Sequence, residues 1–459
     1  MQVPFRAALK SVVGEAHYRE TDGDLVPFSR DATPLFTARP DAVVFPADTR
    51  EVAAVLSLAT RHGVPVVPRG AGSNLCAATV ALHRGVVLSL TRLDRILEIE
   101  PAELLARVQP GVTSAALADA AADHDLLYAP DPGSRTVATI GGTIATNAGG
   151  LRGLKYGVTR DHVLGLEAVL PTGEVIRTGG RLHKDVAGYD LTRLLTGSEG
   201  TLAVITEATL ALRPAPRTSG TGVAYFPDLA AAGRAVTAII SGGVLPATLE
   251  FLDRSCIQAV ESFAGLGLRT DAGALLLFGD DGEPHAVEQA LARMSDACTV
   301  HGALDVTRAA HVAEAEALLT ARRCTLPALS RLGALTILED ATVPRPRIAE
   351  MVERIGEIAD RHDVTMATFG HAGDGNLHPT CVIGSREDTE GIERAELAFK
   401  DVFTTAIELG GTITGEHGVG AAKLPYLSAQ LGADQIALLR RVKHAFDPAG
   451  ILNPGKLGS

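Results

Sequence analysis

The sequence predicts an α+β protein of two principal domains, and three observations carry that expectation. Strands, helices and short antiparallel strand pairs follow one another from residue 41 to residue 212, with many of the chain's 48 glycines clustered there. The run Arg213-Pro-Ala-Pro-Arg-Thr-Ser-Gly220 then breaks both helix and strand patterns. Beyond it, helices interleave with antiparallel strands, the arrangement of an α+β layer. The 459 residues therefore divide into an N-terminal helix and linker (1–37), a first domain (38–216) and a second (217–459).

In order along the chain, Phe5–Val13 reads as a helix. "DAVVFPADTREVAAVLSLATRHGVPVVPRG" reads as strand, helix and strand. Its helix has apolar positions at Val52, Val55, Leu56 and Ala59, cap candidates at Asp48 and Thr49, and Glu51 in the first turn. The second strand is Val64–Val67. "ELLARVQPGV" and "TSAALADAAADHDL" repeat the strand–helix order. "VLGLEAVLP" and "EVIRTG" form a hairpin about Thr172-Gly173, and "GTLAVITEATLALRP" is a long strand. In the second domain helices are expected at 228–242, 284–300, 310–330, 346–362 and 391–409. Strands fall at 273–279 and 334–339, a hairpin at 364–383, and a further strand in "TITGEHGVG" ends in a glycine-flanked turn. The tail "FDPAGILNPGK" reads as a capped helix end and an irregular terminus.

Composition excludes several classes. Hydrophobic residues make up 46% and charged residues 21%, which allows real cores and excludes a disordered or coiled-coil chain. A net charge of -12 without a basic run argues against nucleic acid. The five cysteines, Cys76, Cys256, Cys298, Cys324 and Cys381, are scattered, which fits reduced thiols and cannot by itself hold an iron–sulfur cluster. No apolar h-region opens the chain, and no run reaches about 18 apolar residues. The expected compartment is the cytoplasm.

Three glycine-rich motifs dominate the first half. "PRGAGSN", 68–74, follows a strand, and its small residues let successive amides converge on an anion. It is not a dinucleotide fingerprint of the G-x-G-x-x-G kind, because Leu75 stands where the last glycine belongs. The second runs from Asp131-Pro-Gly-Ser134 to "TIGGTIATNAGG", and the third is "GYDLTRLLTGSEGTLAVIT", 188–206.

Their order, with "KYGVTRDHVLGLEAVLPTGEVI" between, closely resembles the FAD-binding domain of the vanillyl-alcohol oxidase / para-cresol methylhydroxylase superfamily. More narrowly, residues 38 to 456 resemble its FAD-linked D-2-hydroxyacid dehydrogenase branch, which includes glycolate oxidase flavin subunits and D-lactate dehydrogenases. The resemblance implies a two-subdomain FAD-binding domain of PCMH type followed by an FAD-linked oxidase C-terminal (cap) domain. It assigns FAD contacts to Pro68, Arg69, Gly70, Ala71, Gly72, Ser73 and Asn74. It also assigns them to Pro132, Ser134, Thr139, Gly141, Gly142, Ala145, Thr146 and Asn147, to Gly200, Val204 and Ile205, and to Asn453. Ser73-Asn74 stands where some members carry a flavin-linked histidine, so FAD is expected to be noncovalent.

In "TMATFGHAGDGNLHPTCVI" the hairpin puts His371 and His378 at one end of two strands, near enough to share a metal. Together with Glu416 they lie in the motifs that the branch uses for a divalent metal, here Zn, Fe(II) or Mn. The alternative for Glu416 is a hydrogen bond to a flavin or sugar hydroxyl. His417 is the expected base. Arg322 matches the branch's carboxylate-binding arginine, with Arg323 as its rival; either is otherwise a solvated helix charge.

The implied reaction is oxidation of a small D-2-hydroxy acid to the 2-oxo acid, with the C2 hydride passing to flavin N5. Leu319 stands where the branch often carries an aromatic residue, and Thr380 and the cation-free "LTIL" (335–338) depart from the branch's D-2-hydroxyglutarate dehydrogenases, which favours D-lactate or glycolate. The expected partners are that substrate and an electron acceptor, an iron–sulfur or electron-transfer protein among the candidates, with a homodimer as candidate assembly. Two alternatives stand beside this: a flavin subunit active only in a complex, and a non-redox transferase like alkylglycerone-phosphate synthase. The transferase needs phosphate recognition and a membrane anchor that the sequence does not display.

Overall fold

The computed structural model describes residues 3–459. Packing divides the chain into two compact units. The first takes residues up to Gly149 with Gly157–Ala215 and Glu416–Ser459, and the second takes Gly150–Tyr156 with Pro216–Gly415. The break at Ala215/Pro216 lies beside the sequence boundary at 216. Packing departs from the linear division at 150–156, which joins the second unit, and at 416–459, which returns to the first. The return is built by hydrogen bonds: Val66 N–H donates to Ile451 O (2.8 Å) and Asn453 N–H to Val66 O (2.7 Å), adding the tail to a sheet edge.

The first unit holds two sheets. One orders Tyr18–Arg19, Ala42–Val44, Val86–Ser89 and Val66–Arg69, the last three parallel. Helix Thr49–His62 crosses between two of these strands. Asp48 caps it by accepting the Glu51 N–H at 2.9 Å, and Gly63 ends it in the left-handed region. Its stripe Val52, Val55, Leu56 and Ala59 is buried against Phe5 and Leu9 of helix Val3–Val13, as the period predicts. The strand expected from Val64 begins at Val66, because Val64 N–H closes the helix end on Ala59 O and Pro65 has no N–H to give.

The other sheet is antiparallel, in the order Ile96–Glu100, Leu105–Val108, Val204–Ala211, Val163–Val169, Val175–Gly179. It contains the hairpin predicted about Thr172-Gly173. Helices Ser114–Ala122 and Ile140–Thr146 cover it through Leu117, Ile140 and Ile144. The second helix lies in a glycine motif with little helical propensity. The Thr139 cap and the burial of Ile140 and Ile144 hold it.

The second unit is one antiparallel sheet ordered Asp305–Arg308, Thr218–Phe226, Ala274–Gly282, Thr248–Asp253, Met366–His371, Asn376–Ile383, Leu335–Leu338. Helices Leu229–Ser241, Pro284–Val300, Ile348–His362 and Thr389–Glu408 share one core with its strands, including Phe226, Leu249, Phe251 and Phe278. Two expectations change here. The helix read over 310–330 splits into Val312–Arg323 and Thr325–Leu329, because Pro327 cannot donate to the Arg323 carbonyl. The strand read in "TITGEHGVG" shrinks to a single bridge, Thr342↔Thr412, because Asp340 takes over the next donors, Thr414 Oγ1 (2.8 Å) and Gly415 N–H (2.9 Å).

Among the described residues no helix is long and apolar enough to cross a membrane, and the five cysteines are free thiols. Phe278 is fully buried, its ring facing Gly222 across the sheet. Phe278→Ala is expected to cost about 3–5 kcal/mol, read as a lowered denaturation midpoint.

Candidate functional site

In the first unit the three glycine motifs converge. A Cβ on Gly70 would overlap Thr139 Oγ1, so the 68–74 loop lies directly against the start of the helix at 140. Gly200, at φ 66°, stands over Pro68, where a Cβ would come within 3.2 Å of Pro68 Cγ. A Cβ on Gly197 would lie 3.4 Å from Asn147 Cβ. Segments far apart in sequence thus form one cradle with almost no side-chain bulk.

Within that cradle the sequence-predicted residues take different parts. Gly70, Gly72 and Ser73 are half-buried and Ala71 exposed, so the loop presents main chain and one hydroxyl. Arg69 turns inward under Gly72, with Nη1 on Thr79 Oγ1 at 3.1 Å; burial lowers its pKa, partly offset by Asp31. Asn74 also folds the loop: its Oδ1 accepts from Ala78 N–H at 3.0 Å, and Nδ2 donates to Thr79. Pro132 is buried and Ser134 half-buried. Gly141 packs against Pro110 while Gly142, Ala145, Thr146 and Asn147 form a half-buried ribbon. Val204 and Ile205 lie in the two cores, so their side chains support the cradle from beneath.

The tail closes this region. Asn453 Nδ2 donates to Ala78 O (3.0 Å) and Glu199 O (2.8 Å), while its buried Oδ1 has no donor among the described residues. A bare loop of amides, a thin ribbon and an orphaned buried acceptor fit a large ligand carrying phosphate, hydroxyl and N–H groups, as FAD does. Glu199, absent from the sequence-predicted set, braces the tail by accepting Val419 N–H (2.6 Å) and Gly420 N–H (2.7 Å); burial raises its pKa. Lys456 donates to Val80 O at 3.0 Å, and burial pushes its pKa down to about 8.

In the second unit His371 and His378 are brought together as predicted. They face one another across the hairpin with ring centroids 5.2 Å apart and planes at 88°, both buried. Opposite His371 in register stands Glu250, in strand Thr248–Asp253. Its neighbours Leu249 and Phe251 point into the helical core, so Glu250 takes the other face with the histidines. Glu250 Oε1 meets His371 Nδ1 at 2.8 Å and Oε2 meets Arg322 Nε at 2.7 Å. Arg322 is buried and lies over Phe369, 4.8 Å from the ring centroid. Its rival Arg323 is exposed, 3.6 Å from Glu316. Two imidazoles on a rigid hairpin can hold Zn, Fe(II) or Mn.

Sequence reasoning missed Glu250. The available signal was a carboxylate between Leu249 and Phe251 in the strand-like run "TLEFL", a place where a charge is costly without partners.

Asp340, fully buried, joins the hairpin to the segment before Glu416. It accepts Asn376 Nδ2 as well as Thr414 Oγ1 and Gly415 N–H. Within the first unit, Glu416 lies over Gly149 of the "TIGGTIATNAGG" motif, where a Cβ would be 2.7 Å from Glu416 Oε2. His417 Nε2 is 3.9 Å from Glu416 Oε1.

Comparison with known proteins places both halves. The FAD binding domain family matches residues 40–179, and the family of FAD linked oxidases, C-terminal domain, matches 215–457. Glycolate oxidase subunit GlcD of Bacillus subtilis (strain 168) is 49% identical over 449 residues, 98% of this chain and 95% of that one. D-lactate dehydrogenase of Anaerostipes hadrus is 36% identical over 438 residues, 94% of this chain and 92% of that one. Among solved structures, p-cresol methylhydroxylase superposes with a TM-score of 0.83 at 17% identity, covering 99% of this chain and 96% of that one. An alkyldihydroxyacetonephosphate synthase superposes at 0.79 with 19% identity, covering 100% and 86%. At such identities the likeness is one of fold, and it agrees with the two-subdomain PCMH-type domain and cap domain read from the sequence.

Gly70→Val puts a branched Cβ into the Thr139 hydroxyl. Its expected effect is loss of most flavin, read as the ratio of 450 nm to 280 nm absorbance of the purified protein.

Proposed function

Because the chain belongs to the FAD-linked oxidases, we propose that it oxidises a small D-2-hydroxy acid, of the D-lactate or glycolate kind, to its 2-oxo acid. The observation that carries this reading is the buried histidine pair with Arg322 beside it on one carboxylate. The sequences of the glycolate oxidase subunits and D-lactate dehydrogenases support the substrate class.

Bound flavin, held noncovalently, supplies a two-electron acceptor for the C2 hydride, and a bound divalent cation supplies charge that acidifies the substrate hydroxyl. His371 and His378 hold that cation in this reading. Glu416, one peptide bond beyond the anchored Gly415, completes the set. Arg322 has Nε committed to Glu250, which leaves its two terminal amino groups to bind the substrate carboxylate as a planar fork. His417 takes the hydroxyl proton.

A single carboxylate is favoured. The face carrying His378 continues through Thr380 to Leu338 and Thr336 of the neighbouring strand, none of them cationic. A second substrate carboxylate there would be desolvated without a partner.

A second reading concerns where the electrons go. The GlcD relatives are named as subunits, and the five cysteines are scattered along the sequence. The name favours a flavin subunit that hands its electrons to a partner, and the scattered cysteines place any iron–sulfur cluster in that partner. Five free thiols suit a reducing compartment, and the cytoplasm is the location we propose.

Anaerobic bleaching of the flavin by D- and L-2-hydroxy acids, with and without a chelator, tests the reading. Bleaching by D-lactate or glycolate that stops with chelator and returns with a divalent cation is the expected result. Yellow protein that no hydroxy acid bleaches contradicts it. Arg322→Lys keeps the charge and loses the fork. It is expected to raise KM about 10- to 100-fold at unchanged flavin content, as loss of a charge-assisted hydrogen bond does.

A further inference from the structure

We infer that Glu250 is a positioning residue whose single carboxylate couples the metal-holding histidine to the substrate-holding arginine. The inference rests on the reading of His371, His378 and Arg322 proposed above.

The position of Glu250 is unusual for an acid. It sits in an interior strand, 1% exposed, paired in register with His371 on one side and Leu277 on the other. Stability does not account for it. A buried ion pair is often matched or bettered by apolar residues of similar volume, because desolvation offsets the attraction. What an apolar residue cannot supply is direction.

Each oxygen of Glu250 has one task. Oε1 can only accept, so the 2.8 Å contact requires His371 Nδ1 to carry the proton. That tautomer leaves the Nε2 lone pair for a cation, the arrangement by which an outer carboxylate orients a metal-bound imidazole. Oε2 accepts Arg322 Nε–H at 2.7 Å, and Phe369 lies 4.8 Å beneath the guanidinium. Phe369 precedes His371 by two residues and pairs in register with His378. The arginine fork and both imidazoles are therefore referred to one carboxylate and one ring.

A carboxylate is the only side-chain group that satisfies both donors at once. Glutamine has one acceptor and one donor end. If its oxygen faces Arg322, its amide N–H faces His371 Nδ1 and drives the proton to Nε2, where it blocks the metal. If its oxygen faces His371, two donors confront each other at Arg322. Either way Glu250→Gln damages one function through the other.

The test uses full-length flavoprotein as wild type, Glu250→Gln, Glu250→Asp and Arg322→Gln. Retained Zn2+ per flavin is measured against graded chelator, alongside the D-lactate or glycolate concentration that half-saturates anaerobic bleaching. Glu250→Gln is expected to keep its flavin, weaken Zn2+ retention about 10- to 100-fold and raise the half-saturating concentration. Glu250→Asp, which keeps two acceptors, is expected to recover part of both. Arg322→Gln, although the arginine is no metal ligand, is expected to weaken Zn2+ retention as well. Should Glu250→Gln not fold, Arg322→Gln decides. Wild-type Zn2+ retention in the deciding variant overturns the inference while leaving the site reading intact. A wild type that holds none of Zn2+, Fe2+ and Mn2+ overturns the site reading and the inference together.

Discussion

The second unit is organised around a carboxylate that has been taken out of water. Glu250 lies in the middle of a sheet, and each of its oxygens must find a donor at hydrogen-bond distance. His371 and Arg322 are those donors. Their positions follow from register: His371 stands directly across from Glu250, and helix Val312–Arg323 delivers the guanidinium onto Phe369 of the same strand. The opposite face of the sheet is an ordinary apolar core under four helices. One face packs against those helices, and the other carries Glu250, His371 and His378.

The first unit answers a different constraint, that of bringing main chain close to a large ligand. Its motifs meet at positions where a side chain would collide with a neighbour: Gly70 with Thr139, Gly141 with Pro110, Gly200 with Pro68. Polar side chains in the first loop are spent on holding the loop's own shape, as Arg69 and Asn74 illustrate. The tail then fastens the assembly, with Asn453, Glu199 and Lys456 joining segments from 78 to 456. Glycine content and buried polar anchors are two sides of one design, since a cradle without bulk needs hydrogen bonds to keep its form.

Much of this was legible in the sequence because it obeys local rules. The capped helix after Asp48, the hairpin at Thr172-Gly173 and the histidine hairpin at 366–383 each follow from period and turn residues. The family resemblance located the glycine motifs and named Arg322 over Arg323, and the structure buries the first and exposes the second. What escaped was set at long range. Glu250 is meaningful only beside residues 72 and 121 positions away. Helix Ile140–Thr146 forms against local propensity because Ile140 and Ile144 reach a core built by distant strands. Asp340 dissolves the strand expected near 412–416 by supplying hydrogen bonds that a neighbouring strand would otherwise have given.

The chemistry proposed for the second unit depends on the hairpin imidazoles, oriented by Glu250, holding a catalytic cation. X-ray absorption at the Zn edge of the metal-loaded flavoprotein tests it most directly. The expected spectrum shows scattering from two imidazoles plus oxygen donors, falling to one imidazole in His378→Ala. A spectrum without imidazole, or one that His378→Ala leaves unchanged, would contradict it.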